Sequence, residues 1–92
     1  MKLDFKTGVQ TVQIPALGEV RIVALTAREL MEVLEGETKE TNFRLVKACV
    51  MNEDGSPFFT TLAAVQDLAA AAFIPLLNAA NAANGMGTSG KN

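Results

Sequence analysis

The sequence predicts an α+β fold in which a short N-terminal β-hairpin packs on a bundle of about four short helices. Two apolar alternations near the N-terminus, at residues 9–14 and 19–25, have the two-residue period of strands and are separated by a Pro/Gly connector. Beyond them, apolar residues recur at helical spacing between turn residues. An isolated hairpin is marginal in water, so its apolar face is expected to lie on these helices.

Length, charge and hydropathy bound the class of protein. The 92 residues fit one small domain, which we place at residues 1–86, followed by a flexible tail at residues 87–92 that has no large apolar side chain. The net charge is −2 and the eight basic residues are scattered, so no nucleic-acid surface is expected. No apolar run reaches the roughly 20 residues of a membrane span, and no secretion signal is evident. The cytoplasm is therefore the expected compartment.

The first helix is predicted over residues 27–35. Thr26 and Glu29 have the spacing of a capping box, in which the Thr hydroxyl accepts from the third helical N–H and the Glu carboxylate accepts from the N–H of the cap. Gly36 is expected to end the helix. Its buried side is predicted to be formed by Leu30, Val33 and Leu34.

The second helix is predicted from residue 42 to the turn at residues 52–55. Phe43, Val46 and Val50 fall at i, i+3 and i+7, which is typical of a helix packed on a core. Arg44 and Lys47 are expected to point outward into solvent. This helix should therefore form the centre of the bundle.

A turn is predicted directly after this helix, and its structural residues are expected to be Asp54, Gly55, Pro57 and Phe58. Asp favours local hydrogen bonds, Gly accepts positive φ, and Pro disfavours helix at the preceding residue. At least one of Phe58 and Phe59 should be buried immediately after the chain reverses.

Two further helices are predicted in the Ala-rich C-terminal part. Thr60 or Thr61 can cap the first of them. Because Pro within a helix costs about 3 kcal/mol, the last helix is expected to begin at Ile74, with Pro75 in its first turn, and to end at Asn84. The alanines between residues 63 and 83 fit either high helix propensity or close approach of another helix. The apolar face of the last helix is predicted to comprise Leu76, Leu77, Ala80 and Ala83.

Side chains that carry chemistry are scarce. The chain has no His, Trp or Tyr, and its one Cys, Cys49, is expected to be a core residue in a reducing compartment. The Asn-Glu-Asp-Gly cluster at residues 52–55 lacks the spacing of a calcium loop, and no Gly-rich phosphate loop follows a strand. We therefore expect no catalytic, cofactor-binding or metal-binding residues, and a protein that is not an enzyme.

The order of elements and two short motifs resemble the tail assembly chaperones of long-tailed bacteriophages. In that family a helix rich in Leu, Val and Ala runs into an Asp-Gly-x-x-Phe turn, and a final helix closes with Asn-Gly. The stretch Asp54-Gly55-Ser-Pro-Phe58 matches the turn and Asn84-Gly85 matches the helix end. The resemblance spans about residues 19–86.

The resemblance implies a non-enzymatic protein of the host bacterial cytoplasm that is absent from the mature virion. Such chaperones coat the helical tape-measure protein, promote assembly of the tail tube and often self-associate into rings or spirals. A longer product of ribosomal frameshifting commonly engages the major tail protein, and Gly90-Lys91 near the C-terminus is compatible with a frameshift site.

Two hypotheses locate the expected contacts. The first assigns partner binding, to tape measure or to another copy, to Ile74, Leu76, Leu77 and Ala80 of the last helix. The second assigns self-assembly to the exposed edge of the hairpin. The alternative function is a small structural virion subunit of the tail or of the head–tail connector.

Overall fold

Within residues 9–85, a three-stranded antiparallel sheet and four α-helices make up the fold, which confirms the α+β prediction. The computed structural model describes residues 9–85, so the predicted tail at residues 87–92 lies outside the described part. The elements in chain order are β1 Val9–Ile14, β2 Gly18–Val23, α1 Ala27–Leu34, a 3₁₀ turn Thr38–Glu40, α2 Thr41–Cys49, β3 Val50–Met51, α3 Leu62–Gln66 and α4 Ala70–Ala83.

The N-terminal hairpin forms as predicted and supplies one wall of the core. β1 and β2 pair antiparallel, with Val9 opposite Val23 and Ile14 opposite Gly18. Ile14, Val20 and Ile22 are buried against the helices, whereas Thr11 and Gln13 on the opposite face of the sheet are exposed. The alternation of the sequence thus orients the hairpin, because a strand turns successive side chains to opposite faces.

A short third strand was not predicted. The helical pattern was extended through Val50, but α2 ends at Cys49, and Val50 adopts extended backbone and pairs with Ile22 of β2. Val50 is β-branched and fully buried, and pairing satisfies its backbone groups while its side chain joins the same core. The turn at residues 52–55 consequently follows a strand, and a β-bridge joins Met51 to Pro57 across it.

The start of the last helix differs from the prediction. α4 begins at Ala70 and contains Pro75 in its second turn. Pro75 lacks the N–H that would bond to the carbonyl of Ala71, which is an exposed residue. Extending the helix toward its N-terminus buries Ala72 and brings Phe73 against Phe43, and these contacts offset the cost of proline.

The two shorter helices α1 and α3 begin directly after the predicted capping residues. The capping box of Thr26 and Glu29 is present at α1, and Thr61 caps α3 by accepting from Ala64 N at 3.2 Å. Leu34, predicted to be buried, is 46% exposed. It lies about 100° around the helix from Val33, and Val33 is the α1 residue that reaches the core.

In the part of the chain that the structure describes, one hydrophobic cluster joins the sheet to the helices. Phe59 is buried and contacts half-buried Phe58 edge to face, with ring centroids 4.9 Å apart, so Phe59 is the aromatic that returns the chain to the core. The buried members of the cluster are Ile14, Val20, Ile22, Val33, Leu45, Val46, Cys49, Val50, Phe59, Val65, Ala72, Leu76 and Ala80.

Candidate functional site

The four residues predicted to bind a partner lie on different sides of α4. Ile74 is 50% exposed and Leu77 is half-buried, but Leu76 and Ala80 are fully buried. Leu76 and Ala80 are four residues apart, as are Ala72 and Leu76, and together they form the stripe that packs on the core. The expectation that Leu76 and Ala80 are accessible to a partner is corrected accordingly, and Ile74 is the exposed member of the set.

An accessible apolar surface surrounds Ile74. Leu77 follows Ile74 at i+3 and Phe73 at i+4, so these side chains are neighbours on the helix. The ring of Phe73 packs against that of Phe43 from α2, with centroids 5.3 Å apart and planes inclined at 46°. Phe43, Phe73 and Leu77 are half-buried. We call Phe43, Phe73, Ile74 and Leu77 the α4 patch.

Two members of this patch were missed in the sequence. Phe43 was assigned to the inward stripe of α2, although its ring is partly accessible beside Phe73. Phe73 falls outside the last helix as predicted, because that helix is expected to begin at Ile74. In a helix that begins at Ala70, the i and i+4 spacing of Phe73 and Leu77 predicts that these two apolar side chains lie next to each other.

The turn residues of the resemblance motif have a structural role. The Asp54 carboxylate accepts from the N–H of Ser56 at 2.9 Å and from its hydroxyl at 2.6 Å, and Gly55 takes a φ of +90°. These hydrogen bonds from Ser56 lower the pKa of the Asp54 carboxyl. Asn52 Nδ2 also donates to Pro57 O at 3.2 Å. Asp54, Gly55 and Pro57 therefore shape the backbone of an exposed turn.

The second resemblance motif ties the end of α4 to two other elements. Asn84 Oδ1 accepts from the backbone N–H of Leu25 at 2.7 Å, just before α1. Asn84 Nδ2 donates to Ala80 O at 2.8 Å and contacts Cys49 Sγ at 3.4 Å. Gly85 follows with a φ of +70°, which glycine adopts at little cost. Asn84 thus closes the helix and also fixes its position on the core.

The Cys49 thiol is part of the core, as expected. Its side chain is fully buried at the end of α2. Burial raises the pKa of the Cys49 thiol, the hydrogen bond from Asn84 acts against this rise, and the charge of Glu29 adds to it. Since thiolate is the nucleophilic form, this environment suits packing better than reactivity.

Arg44 does not point into solvent as predicted. Its Nε donates to Val33 O at 3.0 Å, and one terminal nitrogen donates to Glu35 O at 2.6 Å and to Glu37 O at 3.1 Å. These carbonyls belong to the C-terminal end of α1 and the segment after it, where a cation is favoured by the helix dipole. Arg44 therefore fastens α1 to α2.

A groove of about 260 Å³ lies between α1 and α2. Glu29 and Arg44 border it, but the Glu29 carboxylate accepts from Thr26 N at 2.9 Å, and the Arg44 guanidinium donates to the carbonyls of Val33 and Glu35 at the end of α1. These polar groups thus hold the local structure. The lining residues are Leu25, Glu29, Glu32, Val33, Arg44 and Ala48.

Two observations apply to residues 9–85 as a whole. Within that range, no three His, Cys, Asp or Glu residues come together in a way that could hold a metal ion. None of the helices in the same range has the length and apolar character needed to cross a bilayer.

Three comparisons with known proteins found no relative of this chain. No protein-family model matches the chain, and neither curated proteins nor solved structures give a significant match.

Proposed function

We propose that this protein is a non-enzymatic tail assembly chaperone of a long-tailed bacteriophage, which binds the tape-measure protein in the host cytoplasm and is absent from the finished virion. The observation that carries the proposal is the α4 patch, where Ile74 is exposed beside three half-buried apolar side chains. The resemblance motifs Asp54-Gly55-Ser-Pro-Phe58 and Asn84-Gly85 support the same reading, as does the short helical architecture.

The chemistry of the α4 patch suits a helical partner. Ile74 and Leu77 are one turn apart, and the rings of Phe43 and Phe73 extend the apolar surface from α4 to α2. An amphipathic helix binds such a surface by placing its own i, i+3, i+4 and i+7 side chains against it. The proposal gives this role to helical segments of the tape-measure protein, which would otherwise expose apolar stripes to water.

The proposal has two further parts, which come from the resemblance to the chaperone family. We include self-association of the chain, and engagement of the major tail protein by a longer frameshifted product. Neither part is needed for the tape-measure contact, so each can fail separately from it.

The test is co-expression of this chain with the tape-measure protein of the same phage, followed by measurement of soluble, co-purifying tape measure. The wild-type chain is expected to keep tape measure soluble. Ile74→Asp places a charge in the centre of the patch, so we expect affinity to fall about tenfold or more, as for an interface anchor. Ile74 is half exposed, so the variant should remain folded.

Ala82→Asp is the matched control, because Ala82 is also exposed on α4 but lies eight residues, about 12 Å along the helix axis, from Ile74. It adds the same charge outside the patch and is expected to bind like wild type. Equal binding by the wild type and Ile74→Asp would remove the patch from the proposal. Insoluble, unbound tape measure with both the short chain and its longer product would remove the chaperone function itself.

The alternative function, a small structural subunit of the tail or of the head–tail connector, makes the opposite prediction about particles. A chaperone should be absent from purified virions, whereas a structural subunit should be present in stoichiometric amounts. Mass spectrometry of purified particles distinguishes the two.

A further inference from the structure

Within residues 9–85, the outer edge of β1 has none of the usual protection of a strand edge. β2 pairs with one side of β1, and no strand within residues 9–85 pairs with the other. The six residues of β1, Val-Gln-Thr-Val-Gln-Ile, include no charge, no Pro and no Gly. Natural sheets usually blunt such edges with charges, Pro or bulges, because unpaired N–H and C=O groups recruit another strand.

The opposite edge of the same sheet shows the usual protection. β3 has only two residues, and the chain that returns from the turn already occupies its outer side, where Met51 forms a β-bridge with Pro57 and Val50 O accepts from Phe58 N at 3.1 Å. A strand approaching β3 would find these backbone groups already paired. The two edges thus differ in length and in backbone pairing, and β1 is the one that can accept a full-length strand.

We propose that β1 pairs with β1 of a second copy, antiparallel and about a two-fold axis perpendicular to the sheet, so that the three-stranded sheets of the two copies become continuous. This is an isologous contact, in which the same strand serves both sides. Self-association through β1 follows from the sheet alone and stands or falls separately from tape-measure binding.

A second copy fits this edge in charge and in pattern. β1 is neutral throughout, so the symmetric contact opposes no like charges. Antiparallel pairing about this axis leaves each side chain on its own face of the sheet. In the register centred on Val12, the two half-buried Val12 side chains lie opposite each other, and each exposed Thr11 lies opposite Gln13 of the other copy. The matched positions are those at the centre of the strand, residues 11–13, whereas Gln10 lies opposite Ile14 at its ends.

The test is the molar mass of the purified chain, without tape measure, by light scattering or sedimentation across a range of concentrations. The wild type is expected to form a dimer of twice the 9.7 kDa chain mass, or a larger assembly built from such dimers. In the double variant Thr11→Lys with Gln13→Lys, lysines oppose lysines across the proposed axis. The mass is expected to fall by about half, for a two-fold contact.

The double variant is designed to leave the monomer folded. Both positions are exposed, and within one copy Thr11 lies opposite Arg21 and Gln13 opposite Glu19, so one added lysine is disfavoured and the other favoured. The control is Ala63→Lys with Gln66→Lys, at exposed positions of α3. Both double variants bring the formal net charge from −2 to zero, so a difference between them reports the strand edge.

A second measurement needs no variant. Amide hydrogen exchange of the wild type should slow in Val9–Ile14 as concentration rises, whereas exchange in α3 should not change. A monomeric wild type, an unchanged mass for the folded Thr11/Gln13 variant, or exchange in β1 that is independent of concentration would each overturn the proposal. If amide exchange in β1 slowed only when a different protein was added, the β1 edge would be a binding site for that protein and not for a second copy.

Discussion

Helices α1 and α4 are attached to the same core by different interactions. α4 buries three apolar side chains, Ala72, Leu76 and Ala80, and no side chain of the described residues caps its N-terminus. α1 buries one, Val33, and is held at its start by a capping box and at its end by the guanidinium of Arg44. Apolar burial along its length positions α4, with a hydrogen-bonded contact through Asn84 only at its C-terminal end, whereas hydrogen bonds at both termini position α1.

The difference explains why apolar content alone does not identify the buried side of a helix. α4 is apolar around most of its circumference, so its sequence fits several orientations, and contacts with β1, β2 and α2 select one. α1 has a distinct apolar side, but that side is wider than its contact with the core, and Met31 and Leu34 are 59% and 46% exposed. The two helices should therefore respond to different substitutions.

The largest expected effect is that of Leu76→Ala. Leu76 is fully buried at the centre of the α4 stripe, and truncation should lower the free energy of unfolding by about 2–5 kcal/mol through lost burial and a residual cavity. The measurement is urea unfolding followed by circular dichroism. Ile74→Ala is the matched control on the same helix, with an expected loss below about 1 kcal/mol because Ile74 is half exposed. Equal losses would contradict the assignment of the two sides.

A smaller loss is expected when the anchor of α1 is removed. Arg44→Gln deletes the cation whose hydrogen bonds to Val33 O and Glu35 O hold the helix end. Hydrogen bonds to charged groups contribute about 1.5–3 kcal/mol, and solvent can replace part of this at a helix end. We expect a loss of about 1–2 kcal/mol, with faster amide exchange confined to α1.

Lys47→Gln is the control for Arg44→Gln, since it removes a cation from the same helix without touching α1 carbonyls. It should be nearly neutral. A loss from Lys47→Gln as large as that from Arg44→Gln would indicate that overall charge matters and that the anchor does not. The ion pair of Arg44 with Glu40, at 3.6 Å and partly exposed, is expected to contribute little.

Local signals in the sequence identified most of the fold. The alternation of the hairpin, the caps at Thr26 and Thr61 and the end of α4 at Asn84 each depend on residues close together in the chain. β3 could not be predicted from the local sequence, because Val50 fits the apolar stripe of a helix as well as it fits a strand. Its pairing with Ile22, which is far away in sequence, decides that it is a strand. The predicted start of the last helix at Ile74 was wrong because the cost of Pro75 can be read from the local sequence. The contact of Phe73 with Phe43, which offsets that cost, depends on the assembled structure.

The candidate site was harder to predict, because exposure is a property of the assembled structure. Ile74 and Leu76 are both apolar and two residues apart, yet one is half exposed and the other is fully buried. The neighbour of Phe73 comes from α2, thirty positions earlier in the chain, and no local pattern connects them. Arg44 likewise resembles any surface cation until the carbonyls at the end of α1 are in place.

The smallest expected effect comes from the cap of α1. Thr26→Ala removes the hydroxyl that accepts from Glu29 N at 3.2 Å, and the loss should be about 1 kcal/mol, within the usual range for N-caps. Thr26→Ser keeps the hydroxyl and should stay near wild type in urea unfolding. Because α1 buries only Val33, few apolar contacts can compensate for the lost cap. Equal stability of the Ala and Ser variants would show that burial of Val33 and the Arg44 anchor suffice to hold α1. The difference between α1 and α4 would then lie only in the Arg44 anchor at the C-terminal end of α1.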